Sequence, residues 1–297
     1  MVGQSFLPGP ALREYVKGYQ LWHFTFPDAN DLPFKPYAPR PEQTLIFCPR
    51  GVEQVTHAGS DKIIRRTRSF IMGQFTERTN RYMGSTDYVV LLVTFQPGVL
   101  YRITGIPYAE LTNTFVDAEA VFSKEMRLVN ERLNSTDDPL EMIRIVESFL
   151  CFLLRDIKRD MHPLDAVVNL LLERPENFKL LHLARESFLC TRQFERIFKE
   201  RMGINPKLFS RIARAYKAYR IKYQHPELDW LGIALFCGYQ DYQHLVKDFQ
   251  DFAGVPPNLY LLEDSKAPER LLGVRDLSIL KDVVFLPLNS TKSVSIL

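Results

Sequence analysis

Cysteine is scarce in this chain. Cys48, Cys151, Cys190 and Cys237 are the only four in 297 residues, and they stand far apart with no C-x-x-C spacing and no neighbouring histidines. That pattern excludes a disulfide scaffold and a structural zinc site and points to a reducing compartment. Histidine is sparse too. Only His23 and His57 precede the helical region and no H-x-H occurs, so the clustered ligands of a metal-dependent barrel enzyme are missing and both read as structural or surface residues. Long apolar runs are lacking: the longest, residues 149–154, falls far short of the roughly 20 residues of a membrane helix. Residues 1–10 have neither the basic start nor the apolar stretch of a signal peptide. There is no G-x-S-x-G elbow, P-loop or dinucleotide fingerprint. Nor does charge of one sign dominate, since 38 Lys and Arg face 35 Asp and Glu for a net +3. The expectation is a cytoplasmic protein with no membrane span, no catalytic residues, no metal and no cofactor.

What is present is an ordinary globular composition, 46% hydrophobic and 25% charged, with length for about two domains. From about residue 22 to 104 the apolar residues alternate or come in short β-branched runs, at 45–47, 63–64 and 88–95, separated by turn residues. That predicts short antiparallel strands in a sandwich or small barrel. The period then becomes helical. Val121, Phe122, Met126, Val129 and Leu133 share one face, as do Met142, Ile143, Val146, Phe149, Leu150, Leu153 and Leu154, with a polar turn at 134–138 between the two segments. These form a helical hairpin whose apolar face covers the barrel, a second subunit, or both. From residue 163 onward the chain reads as nearly continuous helix. The expected division is a β-rich domain with the hairpin over 1–158, a helical domain over 159–264 and a tail over 265–297.

The helical half contains an internal repeat. Phe194, Phe198, Gly203, Pro206 and Phe209 recur as Leu245, Phe249, Gly254, Pro257 and Tyr260, each displaced by 51 residues. Apolar residues at i and i+4, a glycine to end the helix and a proline to restart the chain describe a helix that stops abruptly and feeds another. A shorter helix precedes each copy, at 180–186 and 231–236, with Ala184 and Ala234 placed where two helices would cross closely. Short helix, tight turn and second helix is the helix-turn-helix pattern. A helix over 205–223 links the two copies.

Residues 163–262 resemble the DNA-binding domain of the AraC-type transcriptional regulators. The likeness is carried by Arg192-Gln193-Phe194-Glu195-Arg196-Ile197-Phe198-Lys199, by Gly203-Ile204-Asn205-Pro206, by Ile233-Ala234 with Gly238-Tyr239, and by Gly254-Val255-Pro256-Pro257-Asn258-Leu259-Tyr260. Leu45-Ile46-Phe47-Cys48-Pro49 and Phe95-Gln96-Pro97-Gly98 resemble the β-rich, cupin-like sensor domains of the same family. The resemblance implies an α+β chain: a cupin-like barrel with a helical hairpin, then an all-α domain of two helix-turn-helix units. It further implies sequence-specific binding of double-stranded DNA, and ligand sensing or homodimerisation through the first domain.

Charge is distributed unevenly over the two units. Residues 179–222 carry twelve Lys and Arg against three Glu, a balance of +9, whereas 223–264 carry one Lys against seven acidic residues, a balance of −6. DNA affinity rests on neutralised phosphates, so the first unit is expected to anchor. Its recognition helix, 191–202, turns Arg192, Glu195, Arg196 and Lys199 outward. Arg192, Glu195 and Arg196 are assigned to bases, since arginine grips guanine with two hydrogen bonds and glutamate accepts from cytosine. Thr191, Lys199, Lys207 and Arg211 are assigned to phosphates. Cys190 stands where the family has a serine cap, and Thr191 is expected to replace it. The second recognition helix follows Asp241 and presents Tyr242, Gln243 and Lys247 to bases, with Asp248 and Asp251 expected to repel the DNA backbone.

Two other readings are open. One is a cupin-type metal-dependent enzyme, for which the chain offers nothing positive; the other is a regulator whose acidic second unit contacts protein, such as the sensor domain or RNA polymerase, instead of DNA. Trp22, Phe24, Phe26, Phe34 and Tyr37 either line a pocket or form plain barrel core, the commoner use of aromatics there, so no ligand-binding residue is assigned. In the tail, a strand-like run at 283–288 would add to the sheet or drape over the helical domain.

Overall fold

The computed structural model describes residues 2–28, 32–57, 59–155, 157 and 160–271. The alternating segments form strands β1 (Val2–Phe6), β2 (Val16–Thr25), β3 (Phe34–Tyr37), β4 (Gln43–Arg50), β5 (Glu53–His57), β6 (Ile64–Arg65), β7 (Ser69–Met72), β8 (Thr79–Met83), β9 (Asp87–Phe95) and β10 (Phe115–Asp117). They pair antiparallel in two sheets, ordered β1-β2-β9-β4-β7-β10 and β3-β8-β5-β6. The unbroken apolar run in β9 has a simple cause: both of its faces are covered. Val89, Leu91 and Val93 point to the helical layer, while Tyr88 and Val90 point between the sheets among Trp22, Phe24 and Ile46.

Helix α1 (Val99–Thr104) follows β9, and α2 (Ala118–Asn134) and α3 (Pro139–Arg155) form the expected hairpin. Asp117 caps α2 by accepting the Glu119 amide hydrogen. Met126, Val129, Leu133, Ile143, Val146 and Leu150 are buried together with the outer face of the six-stranded sheet. Sheet packing therefore claims the hairpin's apolar face, leaving Leu128 and Phe152 exposed. The helical half comprises α4 (Pro163–Glu173), α5 (Leu180–Glu186), α6 (Thr191–Met202), α7 (Pro206–Gln224), α8 (Trp230–Phe236), α9 (Tyr242–Ala253), α10 (Pro257–Asp264) and α11 (Pro268–Leu271). The strand-like run at 283–288 lies outside the described residues.

The two halves dock through the C-terminal ends of both α6 and α9. The Thr112 hydroxyl donates to the Gly203 carbonyl at 2.8 Å and the Gln43 amide to the Arg201 carbonyl at 2.8 Å. The Tyr101 hydroxyl donates to Glu200 at 2.5 Å. On the other unit Arg78 pairs with Glu263 at 2.6 Å and reaches the Ala253 carbonyl at 3.4 Å. Gly98 closes the gap beside α4: at its φ of +78° a Cβ would stand 2.2 Å from the Asp165 carboxylate, so no larger residue fits.

Candidate nucleic-acid interface

The repeat found in the sequence is a structural repeat. In the first unit the amides of Ser187, Phe188 and Leu189 donate to the carbonyls of Leu183, Arg185 and Ala184; in the second those of Cys237, Gly238 and Tyr239 donate to Ile233, Leu235 and Ala234. Donors and acceptors correspond at a spacing of 50 residues. From Phe194 and Leu245 onward the spacing is 51, so the extra residue of the second unit enters between Tyr239 and Leu245 and accommodates Asp241, whose carboxylate accepts the His244 amide hydrogen at 2.9 Å as the cap of α9. Ala184 and Ala234 are buried at the crossings. Gly203 and Gly254, with φ of 91° and 73°, end α6 and α9 as the sequence requires.

Equivalent turn positions are filled differently. Gly238 takes φ of +75°, but its counterpart Phe188 holds φ of +56° with an exposed ring. A left-handed conformation costs a non-glycine residue about 1–2 kcal/mol. Phe188→Gly is therefore expected to stabilise the protein by about 1 kcal/mol, read as an upward shift in urea midpoint with unchanged slope.

Phe194 and Phe198 are fully buried, which turns Arg192, Glu195, Arg196 and Lys199 to solvent on α6 as expected. Arg196 has, among the described residues, only a loose partner, Glu200 at 3.8 Å. Among the described residues Arg192, Lys199, Lys207 and Lys247 form no ion pair. Thr191 is half-buried at the start of α6, but the cap is Cys190, whose backbone N–H donates to the Gln193 side chain at 3.3 Å. Thr191 does not replace it. The helix gains its cap bond from the glutamine at N3, so the weak thiol acceptor costs little.

The second unit differs from its expected electrostatics. Asp248 is buried, 4% exposed, and holds Arg211 at 2.7 Å, Arg214 at 3.5 Å and the Tyr239 hydroxyl at 2.9 Å. Asp251 takes the same Arg211 at 2.5 Å. These aspartates neutralise the linker helix α7 and do not stand out as a repulsive stripe. Arg211, assigned to a phosphate, is half-buried and bonded to both. Asp264 is likewise buried against Arg270 and Tyr219, and the half-buried Glu263 pairs with Arg78. The balance of −6 thus overstates the acidity that the surface presents. On α9 Gln243 and Lys247 are exposed and Tyr242 is half-buried.

A family described as Domain of unknown function (DUF6597) matches residues 4–117. Among solved structures the chain is similar to ToxT from Vibrio cholerae, with 10% identity over 82% of this chain and 97% of that one and a TM-score of 0.48. It is similar to the same protein with an unsaturated fatty acid bound, with 11% identity over 87% and 96% and a TM-score of 0.48. The AraC-like transcriptional activator CuxR aligns over 74% of this chain and 87% of its own at 13% identity, with a TM-score of 0.24. No curated protein sequence matches. The tandem arrangement itself rests on the turn hydrogen bonds, caps and buried alanines of this chain.

The cysteines sort by burial. Burial pushes the Cys48 and Cys237 thiols up to about 12, whereas Cys190 is exposed at the start of the recognition helix. Iodoacetamide is expected to modify Cys190 well before Cys48 and Cys237, shown by peptide mass mapping. Equal labelling of all three would contradict this burial.

The sequence pattern assigns no ligand-binding residue, yet the space between the sheets is polar in a way aromatic counting misses. Trp22, Phe24, Tyr37 and Tyr88 line a cavity together with Lys35, Arg81, Glu53 and Glu269. Lys35 and Arg81 are direct partners across the antiparallel pair β3 and β8, and both are buried. Like charges opposite one another destabilise a strand pair, so their presence is the signal that reasoning from hydrophobic pattern overlooks. Glu53 answers Arg66 at 3.2 Å and Arg81 at 3.9 Å.

Proposed function

We propose that the protein is a sequence-specific, DNA-binding transcription regulator of the AraC type, governed by a small molecule held between the sheets of its first domain. In this reading residues 1–158 are the sensor and oligomerisation domain, 159–264 the DNA-binding domain and 265–297 an appended segment. The observation that supports it most is the pair of matched helix-turn-helix units, the first of which exposes Arg192, Arg196 and Lys199 on its recognition helix. Arg192, Glu195 and Arg196 would read base edges, with Thr191, Lys199 and Lys207 on phosphates. Tyr242, Gln243 and Lys247 would add modest selectivity from the second helix. Exposed Leu128 and Phe152 on the hairpin suit a second copy of the chain, which sedimentation would reveal.

Selection of bound sequences from a random duplex pool, followed by salt titration of the winner and a scrambled control, tests the reading. An enriched motif with log affinity falling linearly in log salt supports it; affinity equal to the scramble sinks it. A second reading, in which the second unit contacts RNA polymerase or another protein, is favoured by the exposed apolar residues Leu231, Leu235 and Phe236 on α8. A selected motif covering only one half-site would support it.

A further inference from the structure

The described part of the tail reaches the first domain through Glu269. Helix α11 is strapped to the helical half through Arg270, whose Nε donates to Asp264 at 2.8 Å and whose Nη2 donates to the Tyr219 hydroxyl at 2.7 Å. The guanidinium also lies 4.1 Å from the centre of the Tyr223 ring. One residue earlier, the Glu269 carboxylate crosses to the β domain and meets Lys35 Nζ at 2.5 Å, with both side chains about nine-tenths buried. Glu269 therefore lines the cavity from a segment foreign to the barrel.

The cavity is lined by Lys35, Arg40 and Arg81 against Glu42, Glu53 and Glu269, so its formal charge balances only with Glu269 in place. Lys35, Arg66 and Arg81 are buried cations; among the described residues the two arginines share Glu53, and Lys35 has its ion pair with Glu269. Arg81 is further held over the Tyr37 ring at 3.6 Å. Withdrawing Glu269 would leave Lys35 buried without an anion, a state too costly to persist. The second Glu269 oxygen, Oε2, is buried and accepts no hydrogen bond. A carboxylate with one oxygen unsatisfied is a poor match for the site and an easily bettered one. About 50 Å³ is open to water-sized molecules here, room for a few waters and too little for an organic ligand unless something leaves.

We propose that Lys35 is an anion-binding site for a small organic carboxylate, that Glu269 is its internal surrogate, and that the ligand displaces Glu269 and thereby unties the helical half from the β domain. The ligand's carboxylate takes the place of the glutamate on Lys35, and its apolar body lies among Trp22, Phe24, Met83 and Tyr88. Because Arg270 binds α11 to Asp264 and Tyr219, expulsion of Glu269 is felt at α10 and α7, which flank the second helix-turn-helix unit. The inference rests on the ligand-sensing part of the proposed function and is independent of its DNA contacts.

The test is calorimetric titration of 3-phenylpropanoate into the full chain and its variants, with 3-phenylpropanamide as the uncharged control. Glu269→Gln is expected to bind the carboxylate at least tenfold more tightly than the wild type, because the competing anion is gone. Adding Lys35→Met to that variant is expected to abolish the gain, and the amide is expected to show none. Should Glu269→Gln fold poorly, hydrogen exchange on the wild-type protein serves instead: saturating 3-phenylpropanoate is expected to speed exchange in residues 264–271 and the amide to leave it unchanged. Equal affinity in wild type and Glu269→Gln, or unaltered exchange with the carboxylate bound, overturns the surrogate while leaving a ligand site standing. No binding by any variant overturns both the surrogate and ligand sensing, and the duplex selection then judges DNA reading separately.

Discussion

Arg201→Met is expected to destabilise the protein by about 3–5 kcal/mol, the cost of leaving a buried carboxylate without its cation. Arg201 lies in the last turn of α6 and grips Asp165, in the first turn of α4, through two parallel hydrogen bonds, Nε to Oδ1 at 2.7 Å and Nη2 to Oδ2. Both side chains are 6% exposed, so water cannot replace the lost partner. The arginine also stands over the Tyr101 ring at 5.0 Å, and its carbonyl receives the Gln43 amide. The pair therefore fixes the recognition helix against both α4 and the β domain. Thermal denaturation is expected to show a midpoint lower by about 10 °C for a chain of this size. The double replacement Arg201→Met with Asp165→Leu is expected to recover much of that loss, since removing both charges removes the uncompensated one. A single variant within about 2 °C of the wild type would show that Asp165 finds another way to be satisfied.

Joint replacement of Arg192 and Arg196 by alanine is expected to cut affinity for the selected duplex by roughly a hundredfold or more, at about 1–3 kcal/mol for each base-reading arginine. Both side chains are exposed, so stability is expected to change by less than about 0.5 kcal/mol. Affinity for a scrambled duplex should fall much less, because that binding rests on phosphates. Lys247→Ala is expected to cost only a few fold and to reduce the salt slope by about one. Fluorescence anisotropy on matched and scrambled duplexes at two salt concentrations separates these effects. Equal losses on both duplexes would move Arg192 and Arg196 from bases to phosphates, and a loss from Lys247→Ala as large as that from Arg196→Ala would remove the asymmetry between units.

The helical half was legible in the sequence because its punctuation is local. Gly203, Gly254, Pro206 and Pro257 announce helix ends, and the apolar period identifies Phe194, Phe198, Leu245 and Phe249 as core; the structure buries all four phenylalanine and leucine rings and chains among the helices. The sheets were legible as strands for the same reason, through alternation in β9 and turn residues around it. What escaped is pairing between distant residues. Counting charges along 223–264 cannot show that Asp248 lies buried beside Arg211 and Arg214, since the partners are 37 and 34 residues away. Lys35 and Arg81 likewise look like surface residues of two strands until β3 and β8 are laid side by side. Glu269 is further still, 234 residues from the lysine it meets.

Helices α6 and α9 are both clamped by their trailing ends to one β domain, α6 through Thr112, Gln43 and Tyr101, α9 through Arg78. The angle and separation between them are then properties of the whole chain and not of the linker helix α7 alone. If the proposed function holds, a chimaera that grafts residues 159–264 onto a different first domain would keep the side chains assigned to individual bases but inherit a new ruler between half-sites. Its target would be spelled in the same letters at a different interval.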